Sequence, residues 1–100
     1  MNTKELALIY KALSNENRLE IYMQILNSYE ERFDAKCECF VTEIIGKLKI
    51  GAPTISHHLK ELSNAKLIFT EKRGKFLVAR INEDLLKEIS CTFKISKKDV

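Results

Sequence analysis

The sequence contains little glycine and proline and no long apolar run. Three glycines and one proline among 100 residues exclude collagen-like, low-complexity and loop-dominated chains. No apolar stretch approaches the roughly 18 residues that indicate a membrane-spanning helix. Glu5 interrupts the N-terminal stretch where a secretion signal is apolar. These absences predict a cytoplasmic protein with no membrane partner.

The composition and length are those of one small globular domain. Hydrophobic residues make up 45% of the chain and charged residues 31%, so we expect a single domain over residues 1–100. A chain of this size has a small core, and a partner subunit would stabilise it. The sequence contains no nucleophile–base pairing, phosphate loop or paired-carboxylate site, which predicts a protein that is not an enzyme.

The charge is modest in total but unevenly distributed. A net charge of +3 excludes a strongly acidic or histone-like protein. Residues 14–45 carry three basic and seven acidic side chains, whereas residues 46–81 carry eight basic and two acidic ones, a net charge of +6. This asymmetry indicates a polyanionic partner for the basic segment, with a solvated lysine-rich surface as the alternative.

The spacing of apolar residues predicts four helices before residue 67. The first ends at Leu13, and the second begins after a cap at Ser14-Asn15 and runs to about Asn27. A connector with a short extended piece at its end follows. Thr42 caps a short third helix that ends near Gly51, and Pro53 lies in the first turn of a fourth.

A change of period after the fourth helix indicates a β-hairpin. Residues 67–71 and 75–81 are β-rich, and the turn Lys72-Arg73-Gly74-Lys75 joins them. Asn82 caps a fifth helix. The predicted fold is mainly α with a small hairpin, in the order α-α-α-α-β-β-α. A helix pair with a tight glycine turn, followed by a hairpin, is the winged helix-turn-helix arrangement.

The fourth helix is the candidate DNA-reading element. Its predicted buried residues are Ile55, Leu59 and Leu62. The remaining side chains that suit base edges and phosphates are Thr54, Ser56, His57 and Lys60. The spacing of His58 from the apolar stripe predicts a structural role for it. Adjacent histidines on a helix point about 100° apart and form a poor chelate.

The predicted hairpin tip carries three positive charges around a glycine. Lys72, Arg73 and Lys75 suit a wing that reaches the DNA backbone or the minor groove. A solvated turn is the alternative. Together with the fourth helix, this tip predicts double-stranded DNA as a partner.

These segments resemble the ArsR/SmtB family of bacterial and archaeal metalloregulators. The matching stretches are residues 12–21, 52–62, 65–68, 73–75 and 80–81. The resemblance implies a homodimeric transcriptional repressor whose first and last helices form the dimer interface. It also implies release from operator DNA when an inducer binds.

The family's inducer sites are only partly matched. A Cys-x-Cys pair at the start of the third helix corresponds to Phe40 and Thr42 here, and neither is a ligand. The chain's own pair, Cys37 and Cys39, lies three residues earlier. The family's other site uses Asp, His and Glu on the last helix, and the predicted fifth helix has acidic residues but no histidine.

Three interpretations of the cysteines remain open. Cys37 and Cys39, with Cys91 or another group, could bind As(III), Cd(II) or another thiophilic ion, since soft ions select thiolates. The pair could instead be a thiol redox switch. In the third interpretation Cys91 fills apolar space and the pair is incidental. Accordingly, the alternative functions are a regulator without cysteine sensing and a winged-helix protein–protein module.

Overall fold

A computed structural model of the chain describes residues 1–31, 39–40 and 46–93. Of the predicted third helix, residues 42–45 lie outside them. Gly46 and Lys47 are helical, whereas residues 48–50 form a bend, so the helix ends at Lys47 and not near Gly51 as predicted. The helices that were predicted fourth and fifth are here α3 and α4. The elements in chain order are α1 (Thr3–Leu13), α2 (Glu16–Glu31), β1 (Cys39–Phe40), α3 (Ala52–Asn64), β2 (Ile68–Arg73), β3 (Phe76–Ile81) and α4 (Glu83–Thr92).

Asparagine side chains cap three of the helices. Asn2 Oδ1 accepts from a backbone N–H in the first turn of α1, at 2.8 Å. Asn15 does the same for α2 at 3.0 Å, and Asn82 for α4 at 3.3 Å. Each cap satisfies one of the N–H groups that a helix start leaves without a partner. The caps predicted at Asn15 and Asn82 are confirmed.

Helix α2 is one turn longer than its apolar pattern predicted. It ends at Glu31, not near Asn27. Ile21, Ile25 and Ser28 follow one another at helical spacing, and Ser28 is only 9% exposed. The helix therefore continues to bury its inner face, but a serine at a core position removes the apolar signal that would have revealed this turn.

A tight turn ends α3 and leads directly into β2. Lys66 has a φ of +63°, and its N–H donates to Ser63 O at 2.9 Å. The next N–H, of Leu67, donates to Leu62 O at 3.0 Å. These two bonds form a Schellman motif, which satisfies carbonyls at the helix end. Asn82 holds the turn from outside, because its Nδ2 donates to Lys66 O at 2.8 Å.

The predicted β-hairpin is present, but its turn has two residues and not the four that were predicted. Arg73 pairs with Phe76, so Lys72 and Arg73 belong to β2 and the turn is Gly74 and Lys75 alone. Gly74 has a φ of +63°, which glycine adopts without steric cost and which permits this short reversal. Strand β1 pairs with β3 to give the sheet order β1-β3-β2, and it lies where the connector was expected to end in an extended piece.

The core joins α2, α3 and the hairpin. Its largest fully buried side chains are Ile21, Ile25, Ile55, Leu62, Leu67, Ile68 and Val78. In the described part of the chain, every residue of α4 keeps some exposure. None of the described helices is both long and apolar enough to cross a membrane.

Candidate nucleic-acid interface

Helix α3 has one buried and one exposed face. The buried side chains are Ile55, His58, Leu59 and Leu62. The four predicted DNA-contacting residues, Thr54, Ser56, His57 and Lys60, are all exposed. The predicted division of this helix is therefore confirmed. Its outward face offers hydroxyls, an imidazole and one cation, the groups that donate to or accept from base edges and phosphates.

His58 has a structural role, as predicted, and a partner that the sequence did not indicate. It is 5% exposed, and its Nδ1 accepts from Arg18 Nε at 3.3 Å. Arg18 Nη1 also donates to Ala12 O at 3.1 Å. The guanidinium thus links the end of α1 and the start of α2 to α3. Because the donor and the acceptor are 40 residues apart, no local pattern identifies Arg18.

The environment of His58 favours its neutral form. Burial lowers the pKa of this imidazole, and the positive charges of Arg18 and His57 lower it further. With Nδ1 as the acceptor, the neutral ring carries its proton on Nε2. A protonated ring would lose the acceptor and place a second cation beside the guanidinium.

The hairpin tip exposes the three predicted cations. Lys72, Arg73 and Lys75 are all exposed. Arg73 Nη2 lies 3.3 Å from Glu71 Oε2, and Lys75 Nζ lies 5.6 Å from the centre of the Phe76 ring. An exposed ion pair of this kind contributes little to stability.

A trench of about 250 Å³ separates α3 from the hairpin. Ser56 and Lys60 line it, as predicted contact residues, and the structure adds four side chains that sequence reasoning missed. These are Ser63, Asn64, Thr70 and Leu77. Ser63 carried a weak signal, since it lies seven residues after Ser56 on the same helix face. Thr70 and Leu77 carried none, because only the folded hairpin brings them here.

The structure describes two of the three cysteines. Cys39 lies in β1 and pairs with Ala79 of β3, and Cys91 is an exposed free thiol on α4. Cys37 lies outside the described residues. Among the residues that are described, no group of three or more His, Cys, Asp or Glu side chains could hold a metal ion.

The sequence model of a known family matches the helical part of this interface. The family is described as "Bacterial regulatory protein, arsR family", and its model matches residues 15–69, from the start of α2 into β2. The chain belongs to the ArsR family. ArsR-family proteins are transcriptional regulators, and the helix-turn-helix segment that defines the match contains the exposed face of α3.

Curated relatives agree with this assignment, and a solved structure agrees with the fold. An arsenical resistance operon repressor from Staphylococcus xylosus is 33% identical over 90% of this chain and 78% of its own. One from Staphylococcus aureus is 34% identical over 89% of this chain and 77% of its own. An ArsR-like transcriptional regulator from Rhodococcus sp. RHA1 has the same fold, with a TM-score of 0.69, 24% identity, and coverage of 89% and 76% of the two chains. This ArsR-family chain is a DNA-binding transcriptional regulator with a winged helix-turn-helix fold.

Proposed function

We propose that this ArsR-family regulator is a homodimeric repressor that binds double-stranded operator DNA through α3 and the hairpin. The observation that carries the proposal is the exposed polar face of α3 beside a basic hairpin, within a segment of net charge +6. In a helix-turn-helix the second helix enters the major groove, and a wing reaches the adjacent backbone or minor groove. Membership of the ArsR family favours this function over a protein–protein module.

The side chains divide into two roles. Thr54, Ser56 and His57 are short groups near the N-terminus of α3 and contact base edges, which gives sequence discrimination. The cations contact phosphates, which gives affinity that depends on salt but not on sequence. This second set is Lys60, Lys72, Arg73 and Lys75.

Titrations of a labelled promoter fragment and an unrelated duplex test this division. We expect His57→Ala to reduce discrimination between the two duplexes by ~1–3 kcal/mol, since a base contact is lost. Lys75→Gln should weaken binding to both duplexes and reduce the dependence of affinity on salt. Lys4→Gln, an exposed lysine on α1, is the control. If His57→Ala and Lys75→Gln both bind like the wild-type protein, the proposed docking is wrong.

An exposed apolar surface on α1 and α4 supports the homodimer. Leu8 is 56% exposed and Phe93 66% exposed. The Tyr10 and Phe93 rings, with centres 5.7 Å apart, join the α1 and α4 sides of this surface. Large exposed apolar side chains that lie close together are characteristic of an interaction site. A two-fold dimer would cover it and would present two α3 helices to a pseudo-palindromic operator.

Sedimentation velocity tests the dimer directly. We expect the wild-type chain of 11.6 kDa to sediment as a dimer and Leu8→Glu to sediment as a monomer with weakened DNA binding. Met23→Glu is the matched control, because Met23 is a 42% exposed apolar residue on α2. A monomeric wild-type protein, or a Leu8→Glu variant that remains dimeric, would contradict this interface.

The inducer in this proposal reacts with cysteine thiols. Cys37 and Cys39 form a Cys-x-Cys pair, and Cys91 supplies a third thiol. Three thiolates suit As(III) or Cd(II), and an oxidant would act on the same groups. The names of the staphylococcal relatives, which are arsenical resistance operon repressors, favour the metalloid.

Titration of the reduced protein–DNA complex with As(III), Cd(II), Zn(II) and peroxide separates these inducers. We expect As(III) or Cd(II) to release the wild-type protein, and the Cys37→Ser/Cys39→Ser variant to stay bound. Cys91→Ser shows whether the third thiol takes part. Release by peroxide alone would assign a redox switch. If none of the four reagents releases the protein, the regulator has no cysteine-based sensing.

A further inference from the structure

The trench between α3 and the hairpin has the lining of a phosphodiester site. Its polar lining consists of the hydroxyls of Ser56 and Ser63 on α3 and of Thr70 on β2, together with the side-chain amide of Asn64. Lys60 adds a positive charge, and none of the residues that line the trench is acidic. Hydroxyls and a lysine are donors that bind phosphate oxygens in protein–DNA complexes.

The hairpin side of the trench adds an apolar side chain and a second cation. The half-buried Leu77 adds apolar surface to the lining, whereas Leu59, which is 2% exposed, adds almost none. Lys72 pairs with Leu77 across the hairpin, and Thr70 lies two residues before Lys72 on β2. Because side chains alternate along a strand and paired residues face the same way, these three side chains share one face of the sheet. The hairpin side of the trench therefore has a second cation, Lys72, beside the apolar side chain of Leu77.

We propose that this trench holds the sugar-phosphate backbone of one DNA strand, with Ser63 and Thr70 as phosphate-contacting residues. The proposal rests on the proposed function, because the strand lies here when α3 occupies the major groove and the hairpin follows the neighbouring groove. The hydroxyls of Ser63 on α3 and Thr70 on β2 donate to phosphates of this DNA strand from its two sides. The trench thereby sets the angle at which α3 enters the groove, while bases are read by other side chains.

The test uses the full-length protein and the variant Ser63→Ala/Thr70→Val, which removes both hydroxyls without removing a charge. Binding to the promoter fragment and to an unrelated duplex is measured by fluorescence anisotropy over a range of salt concentrations. We expect affinity for both duplexes to fall by a similar factor of roughly ten, since hydrogen bonds to charged groups are lost. The slope of log affinity against log salt should stay unchanged.

Two further variants complete the comparison. Lys60→Gln should reduce the salt slope by about one for each protomer in contact, because a lysine–phosphate contact releases about one counterion. Ser90→Ala, which removes a hydroxyl on α4 that bonds Leu86 O, is the control and should bind like the wild type. Thr70→Glu places a carboxylate at an exposed strand position, which spares the core, and should weaken binding to both duplexes more than Thr70→Val does.

Each outcome is decisive. Wild-type affinity in Ser63→Ala/Thr70→Val and in Thr70→Glu would overturn the trench proposal and leave the proposed function intact. A loss confined to the promoter fragment would also overturn it, because base contacts and not backbone contacts would then be affected. A wild-type protein that binds neither duplex would refute the proposed function itself.

Discussion

Replacing Arg18 by methionine should destabilise the fold, although the residue is only partly buried. Arg18 donates to His58 Nδ1 at 3.3 Å and to Ala12 O at 3.1 Å, and methionine keeps much of the volume but neither donor. His58 is 5% exposed, so little water reaches the ring to replace the lost donor. A buried acceptor left without a partner costs ~1–3 kcal/mol, and a hydrogen bond to a charged group contributes about 1.5–3 kcal/mol. Because Arg18 is only partly buried and water screens its charge, we expect less than the full sum, a fall of roughly 2–4 kcal/mol in the free energy of unfolding.

Urea denaturation followed by far-UV circular dichroism measures this change. The chain has no tryptophan, which makes helix content the more direct signal. All variants are compared at one protein concentration, because dimerisation would make stability depend on concentration. Arg80→Met, which removes an exposed arginine of β3, is the matched control and should change stability by no more than about 0.5 kcal/mol.

A double-mutant cycle isolates the contact. Removing one partner leaves the other unsatisfied, whereas removing both does not. Arg18→Met/His58→Leu should therefore be more stable than the sum of the two single changes predicts, by about 1 kcal/mol or more. If Arg18→Met unfolds at the urea concentration of the Arg80→Met control, or if the two single effects simply add, the guanidinium–imidazole link contributes nothing and the reasoning fails.

Three further outcomes follow from the same structure. Because burial, Arg18 and His57 lower the pKa of His58 below its ordinary value of 6.5, the free energy of unfolding should be level above that pH and fall as the pH drops below it. His58→Gln should flatten this part of a stability–pH curve, and an unchanged curve would contradict the assignment. Asn82→Ala should cost ~1–2 kcal/mol in urea denaturation, and Asn82→Asp, which keeps the cap but loses the donor to Lys66 O, should cost less. Lys66→Gly should raise the thermal midpoint slightly, because the φ of +63° is unfavourable for lysine, and a fall would show that the lysine side chain stabilises the turn.

Features that depend on neighbours within one helical turn were predictable from the sequence. The buried stripe of α3, the caps at Asn15 and Asn82 and the basic hairpin each arise from residues one to four positions apart. The resemblance to the ArsR family rested on the same short segments, and the family match over residues 15–69 confirms it. Where a core position holds a polar residue, as at Ser28, the local signal ended before the helix did.

The sequence by itself determined which faces of the helices are apolar and where the positive charge is concentrated, because periodicity and composition are local properties. Only the tertiary structure decided which distant groups meet. The contact of Arg18 with His58 and the approach of Thr70 to Ser63 depend on how α2, α3 and the hairpin pack together. That packing depends on the turn at Lys66 and on the shape of the shared core. The core is built by several segments together, so no single segment encodes the packing.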